Sequence, residues 1–477
     1  MPARIIRTLV LLLLSASGAS ACAQGTLPSA VAQGLAAAKI PAASVAILVQ
    51  EAGASRPALS VNAAVPMNPA SVMKLVTTYA ALDLLGPAYR WKTEAWIDGA
   101  LRDGVLEGDL ILKGGGDPKL DLESFWILLR ALRGKGLREI RGDLVLDRGY
   151  FEGVAGDPGR FDGDPYRPYN VLPDALLVNY RSLRFAFLPE PERGAVRIYV
   201  EPRPPALEVA NALRLAEGNC PEGRAFRELL KASFEPERQR AVFAGRYPAS
   251  CGEKDLNVAL LEANDQVAGI FRQLWTEMGG GWSGAAREGR APAGARLFHS
   301  HDSPQLAEIV RGTNKFSNNI MGRHLFLTIG AEAGGAPGTP QKAAGALRAW
   351  LTSKGLAAPE LVLENGIGLS RSERVSAATL AAMLQSALRS AVMPEFIASL
   401  PIVGLDGTMR RRLKGDGVTG QAHIKTGLLN DARAIAGYVL DRGGRRHVVV
   451  MLVNHLNAAD SQAAADALLR WAYEGSP

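Results

Sequence analysis

Two apolar runs near the end of the chain, residues 432–440 and 447–453, are separated by Asp441-Arg442-Gly443-Gly444. Turn-forming residues between two β-forming runs predict an antiparallel hairpin. A helix is predicted just after it, at about 460–471, and the run Ser-Val-Ala-Ile-Leu-Val at 44–49 predicts a strand near the other end of the chain. Further helices are predicted from Asn68-Pro69-Ala70-Ser71 through Leu85, stopped by Gly86-Pro87, and at 304–311, 319–328, 340–353 and 377–388. A sheet with helices contributed by both ends of the chain implies one α/β (α+β) domain interrupted by its own middle. That middle, about 93–295, changes character. Strand-like pieces recur at 110–113, 143–147, 195–200 and 240–243, with Gly, Pro and Asp between them, and predict β-rich inserted material. A chain of 477 residues has room for one to three domains, and a hydrophobic fraction of 47% is ordinary for a globular core.

The first residues point to export. Arg4 and Arg7 precede an apolar run at 9–14, and small residues follow at Ala19, Ser20, Ala21, Cys22 and Ala23. This order predicts a secretory signal peptide over 1–23, with a run too short to span a membrane. Cleavage is expected after Ala21 or Ala23. Cys22 leaves a second reading open, a lipid-anchored mature end, although Ala19 stands where a leucine would be expected for it. Two cysteines remain, Cys220 and Cys251. They are either a disulfide or two buried thiols, and an oxidising compartment favours the bond. Closing that loop would stabilise by roughly 3–4 kcal/mol in the chain-entropy model.

Three short patterns carry chemistry. In Ser71-Val72-Met73-Lys74 the serine and lysine share one helical face. A serine hydroxyl becomes a nucleophile when a nearby base takes its proton, and a lysine serves once burial and neighbouring cations lower its pKa. Ser317-Asn318-Asn319 enters a predicted helix and, taken alone, reads equally as an N-cap. Lys425-Thr426-Gly427 ends the alternating segment at 422–426 just before the hairpin. Each is weak alone; their order along the chain is not.

In that order the patterns resemble the serine penicillin-recognising enzymes, which carry S-x-x-K, S-x-N and K-T-G in one cleft. Other phrases are similar to one branch, the D-alanyl-D-alanine carboxypeptidase/endopeptidase family (low-molecular-mass class C penicillin-binding proteins). They are Gly114-Gly115-Gly116-Asp117-Pro118, Glu364-Asn365-Gly366-Ile367-Gly368-Leu369-Ser370-Arg371, Gly404-Leu405-Asp406-Gly407-Thr408-Met409 and Ala436-Gly437-Tyr438. The long interval between Lys74 and Ser317 matches that branch, whose members carry two nested domains there. The resemblance implies a penicillin-recognising catalytic domain at 24–92 and 296–477, a second domain at 93–118 and 197–295, and a third nested at 119–196.

It also implies roles. Ser71 is the acylated nucleophile and Lys74 its base. Ser317 relays a proton to the leaving amine, and Asn319 binds the substrate amide. Lys425 supplies positive charge and, with Thr426, holds the substrate carboxylate. Gly427 belongs to the same strand, and the backbone N–H groups of Ser71 and Leu428 form the oxyanion hole. The implied partners are peptidoglycan stem peptides and, as covalent inhibitors, β-lactams, in a periplasmic or exported setting. No metal or cofactor is implied: none of the six histidines has HExxH spacing, and Gly114–Gly116 lacks the Gly-Lys-Ser/Thr of a phosphate loop.

The chain departs from the branch at Leu428, where family members often carry Ser or Thr, and at Asn365 and Ile367 in the glycine-rich phrase. The lost hydroxyl at 428 predicts cross-link cleavage stronger than removal of terminal D-alanine. Two rivals are a serine β-lactamase and a wall-binding protein with a vestigial centre. The long insertion, and the lack of a Glu-x-x-x-Asn element after Ser317, argue against the first. Intact Ser71, Lys74, Ser317, Asn319 and Lys425 argue against the second. The formal net charge of +7 suits an anionic wall polymer. The run Arg410-Arg411-Arg412 with Lys414 is taken as a solvated face, and there is no nucleic-acid motif.

Overall fold

The computed structural model describes residues 26–153 and 156–475. The expected signal peptide and Cys22 lie outside the described residues. The hairpin forms the middle of a five-stranded antiparallel sheet ordered Ala422–Leu428, Ala432–Leu440, Arg446–Asn454, Val45–Glu51, Leu59–Val61. Val45 pairs with Val453 and Glu51 with His447, so strands from the two ends of the chain lie side by side. Alternation along Arg446–Asn454 sends Val448, Val450 and Leu452 into one core and Val449, Met451 and Val453 into another. A sheet apolar on both faces must be covered on both. Helices Ser29–Ala37 and Gln462–Glu474 cover one face, and Lys74–Leu85 and Ala377–Leu388 the other. The α/β reading of the chain ends is what folds.

The insertion is not simply β-rich. A seven-stranded sheet that includes Lys92–Arg102, Val105–Gly114, Leu144–Asp147 and Arg296–Asp302 is covered by helices Leu122–Gly134 and Ala263–Glu277. Phe125, Leu128, Leu129 and Leu132 recur at helical spacing and share one core with Leu110, Leu112 and Leu144. The start signal is local: the Asp121 carboxylate accepts from the Ser124 N–H at 2.9 Å. His299 and His301 lie in the strand Arg296–Asp302, paired with Lys92–Arg102.

The packing also divides the insertion differently from 93–118/197–295 and 119–196. Residues of 95–178 share one core with residues of 267–275, and residues of 183–261 make another. The reason is the register: Leu144–Asp147 runs hydrogen-bonded beside Leu110–Lys113, so residues 93–118 cannot be separated from those just after them. The second core is aromatic, with Phe185, Phe187, Phe243 and Tyr247 in edge and tilted contacts. Cys220 and Cys251 are joined at its border, their Cα atoms 4.8 Å apart, as export anticipated. The connecting loop returns to the catalytic domain, where Arg323 Nη1 donates to the Val171 carbonyl at 2.7 Å.

Candidate active site

Ser71 lies in a single 3₁₀ turn, Ala70–Met73, that runs into the helix Lys74–Leu85. The turn opens with Ala70 at φ +45°, a conformation costly for any residue with a Cβ. Asn68 holds it there. Its Oδ1 accepts from the Ala70 N–H at 2.9 Å, and its Nδ2 donates to the Ser370 carbonyl at 2.8 Å. Lys74 follows on the same face, and its Nζ reaches Ser71 Oγ at 3.0 Å, Asn319 Oδ1 at 2.8 Å and the Ile367 carbonyl at 2.9 Å. The lysine is completely buried. Burial first, and then the charge of Lys425, hold its pKa well below the ordinary lysine value, with Glu373 pulling the other way.

Ser317 ends the helix Leu306–Phe316 in the left-handed region, at φ +56°. The next residue, Asn318, caps the helix Asn319–Gly334 by accepting from the Met321 N–H at 3.0 Å. The N-cap reading of the triplet therefore belongs to Asn318 alone, while Ser317 and Asn319 reach the two lysines. Lys425 Nζ donates to Ser317 Oγ at 2.9 Å and to the Thr426 carbonyl at 2.6 Å. Lys425 is fully buried too, and burial pushes its pKa down to about 7. Two lysines with depressed pKa values thus flank two serine hydroxyls. Gly427 lets the strand come this close: a Cβ there would stand 2.7 Å from the Pro69 carbonyl oxygen and 3.0 Å from the Ser71 nitrogen. Leu428 is 56% exposed at the mouth.

Several contributors went unread in the sequence. Glu373 is completely buried, and its carboxylate accepts from the N–H groups of Glu364, Asn365, Gly366 and Gly368, at 3.0, 2.9, 2.7 and 2.7 Å. It wraps the glycine-rich loop that brings the Ile367 carbonyl to Lys74. That loop presses on the nucleophile turn, since a Cβ at Gly368 would stand 1.7 Å from the Ala70 carbonyl oxygen. The departures at 365 and 367 find their account here. Asn365 braces the loop through Ile367 N–H (3.1 Å) and the Leu369 carbonyl (2.8 Å). Ile367 is fully buried, and a Cβ at Gly322 would come within 2.7 Å of its Cγ2. It adds an apolar wall near the Lys74 ammonium.

Opposite, Thr426 Oγ1 lies 2.8 Å from Thr408 Oγ1. The buried Lys315 ties this second loop to the end of the Ser317 helix through Asp406 at 2.6 Å. The insertion closes the remaining side: the Tyr169 carbonyl accepts from Asn319 Nδ2 at 3.2 Å, and the Arg371 guanidinium stands 4.5 Å from the Phe161 ring. Glu373 lies two residues past the phrase ending at Arg371, and Thr408 was legible only as part of a phrase with no role attached.

The model of the D-Ala-D-Ala carboxypeptidase 3 (S13) family matches residues 27–474. A D-alanyl-D-alanine carboxypeptidase of Actinomadura sp. (strain R39) is 30% identical over 392 residues, covering 78% of this chain and 70% of that one. The D-alanyl-D-alanine carboxypeptidase DacB of Haemophilus influenzae is 23% identical over 406 residues, with 84% and 83% covered. The crystal structure of penicillin binding protein 4 from H. influenzae superposes with a TM-score of 0.77 at 22% identity, over 93% of this chain and 98% of that one. A predatory endopeptidase of Bdellovibrio bacteriovorus, solved with an immunity protein, superposes with a TM-score of 0.53 at 15% identity over 89% and 93%.

Proposed function

The chain belongs to the D-Ala-D-Ala carboxypeptidase 3 (S13) family, and from that membership we propose an exported serine hydrolase that cleaves the D-Ala–X amide of peptidoglycan stem peptides, at their ends or at cross-links, and that β-lactams acylate. The observation that carries this reading is the pairing of Ser71 with the buried Lys74 at 3.0 Å beside Ser317 paired with the buried Lys425 at 2.9 Å. Neutral Lys74 takes the Ser71 proton as Oγ attacks the D-alanyl carbonyl. The backbone N–H groups of Ser71 and Leu428 hold the developing oxyanion. As the C–N bond breaks, the proton that Lys74 took passes through Ser317, which the Lys425 charge polarises, to the leaving amine, and Lys74 is neutral again. Water then attacks the ester carbonyl, Lys74 takes its proton and gives it to Ser71 Oγ as the C–O bond breaks, which frees the acid and restores the enzyme. Asn319 orients the substrate amide, and Lys425 and Thr426 hold the carboxylate. Thr408 offers a hydroxyl beside Thr426, which supports carboxylate binding in spite of Leu428. Export rests on the basic and apolar order of the first residues, and no helix among the described residues is long and apolar enough to cross a membrane.

The test is incubation with a fluorescent penicillin, followed by mass spectrometry of digested muropeptides. Lasting label on Ser71 with loss of terminal D-alanine or of cross-links is the expected result. Ser71→Ala abolishes the label while the protein stays folded. A penicilloyl adduct on another serine would overturn the assignment, rapid turnover of the drug would indicate a β-lactamase, and no label at all a binding protein.

A further inference from the structure

The basic run at 410–414 reads as a solvated face, yet one of its members lines a cleft. Arg411 borders a cleft of about 1010 Å³ whose wall begins at Ser317 and Asn319 and whose far side is the aromatic-core unit of the insertion. Arg167, Arg184, Arg227 and Lys254 line the same cleft. Arg167 is occupied by Asp164, and Arg184 lies 3.4 Å from Asp255. Among the described residues no carboxylate lies within ion-pair reach of Arg227, Lys254 or Arg411. Glu201 and Glu222 also line this wall, and Glu201 takes the Tyr199 hydroxyl. Part-buried Arg227 feels its surroundings: burial, and then the charge of Arg167, lower its pKa. Like charges gathered in a concave site, with too few carboxylates to neutralise them, attract an anion from outside. Beside Ser317 at the mouth, Phe316 is 75% exposed, an apolar platform with nothing packed on it.

The position of the cleft identifies its occupant. It borders Ser317, the group that hands a proton to the leaving amine, so a peptide attached to that amine can extend into it. A released D-alanine ends at its single carboxylate and does not extend there. The second peptide of a cross-link does, and it brings several carboxylates. We propose that this cleft is the binding site for the acidic leaving peptide of a cross-linked substrate, held by Arg227, Lys254 and Arg411. The inference rests on the amide-cleaving reading of the Ser71 site and gives that site a preference for cross-links.

The experiment compares wild type with Arg227→Gln/Lys254→Gln and Arg411→Gln, all of them checked for unchanged thermal unfolding. The expected result is a fall of at least about tenfold in kcat/KM on a cross-linked muropeptide dimer, with pentapeptide hydrolysis and penicillin acylation changed less than about twofold. Added salt should depress the dimer reaction of the wild type more than its pentapeptide reaction. Equal losses on dimer and pentapeptide, or none on the dimer, overturn the proposal. A second measurement separates it from the catalytic reading: calorimetric binding of an uncross-linked stem tetrapeptide to chain whose Ser71 is already blocked by penicillin, or replaced by Ala if no adduct forms. Binding by wild type that is lost in the double variant supports the cleft even if the chain cleaves neither substrate. Absence of binding by the wild type overturns it.

Discussion

Replacing Glu373 by glutamine removes a charge that nothing in the active-site chemistry touches directly, and its effect follows from the geometry. One carboxylate oxygen accepts three backbone N–H groups, those of Glu364, Asn365 and Gly366, and the other accepts the Gly368 N–H at 2.7 Å. A glutamine in the same place has one acceptor oxygen. With that oxygen on the three donors, its NH₂ faces the Gly368 N–H. The site then loses one charge-assisted bond, about 1.5–3 kcal/mol, and leaves a buried donor unmatched, about 1–3 kcal/mol more. A total of roughly 3–5 kcal/mol is typical of a broken buried charge network. It should lower the catalytic domain's thermal transition by on the order of 10 °C. Gly368 presses on Ala70 and Ile367 meets Lys74, so a loosened loop should also cut the second-order rate of penicillin acylation at least about tenfold, or about 1.4 kcal/mol of barrier. The pH profile separates this from general damage. Glu373 raises the Lys74 pKa, and the active base is neutral lysine. Without the carboxylate the acid limb of the acylation profile should move to lower pH while the plateau falls. Glu373→Asp keeps the charge and should leave the limb where it is. Fluorescent-penicillin labelling across pH reads both quantities. Wild-type acylation with an unmoved limb in the glutamine variant would refute the reasoning.

Gly427→Ala should slow acylation strongly with little change in stability, because the new Cβ can be relieved only by pushing the Lys425 strand away from Ser71; labelling kinetics check it. Leu428→Thr should raise pentapeptide hydrolysis more than dimer cleavage, and Thr408→Ala should lower pentapeptide hydrolysis, as kcat/KM on the two substrates will report. His324 is fully buried, its Nδ1 is 3.0 Å from the Gly116 carbonyl, and burial pushes its pKa down to about 4. A depressed folded value means that the unfolded chain binds the proton first. The native state should therefore keep its full stability above about pH 6.5 and lose about 3 kcal/mol as the pH falls to 4. Denaturant titrations should find a flatter dependence in His324→Phe, and the same slope in both proteins would exclude this histidine as the source.

Local chemistry was written in the sequence. The spacing of Ser71 and Lys74 sets them on one face of a turn whatever surrounds them, the glycines at 443–444 close a hairpin, and alternating valines demand a sheet covered on both sides. The order of the three patterns carried a family resemblance, and that resemblance implied a shared cleft. Other features depend on groups distant in sequence, and only the tertiary structure decides them. A lysine becomes a base through burial, and the burial of Lys74 is supplied by Ile367, Asn319 and the strand of Lys425. The loop departures at 365 and 367 had no meaning until Glu373 and Gly322 stood beside them. The helix at 122–134 went unread because β-like neighbours dominated the composition around it, although its apolar spacing and Asp121 cap were present. The division of the insertion could not be read at all, since strand register joins residues 105–114 to 144–147 by hydrogen bonds that leave no mark on composition. The basic cleft shares that cause: Arg227, Lys254 and Arg411 are scattered in the sequence, and only folding brings their charges to one place.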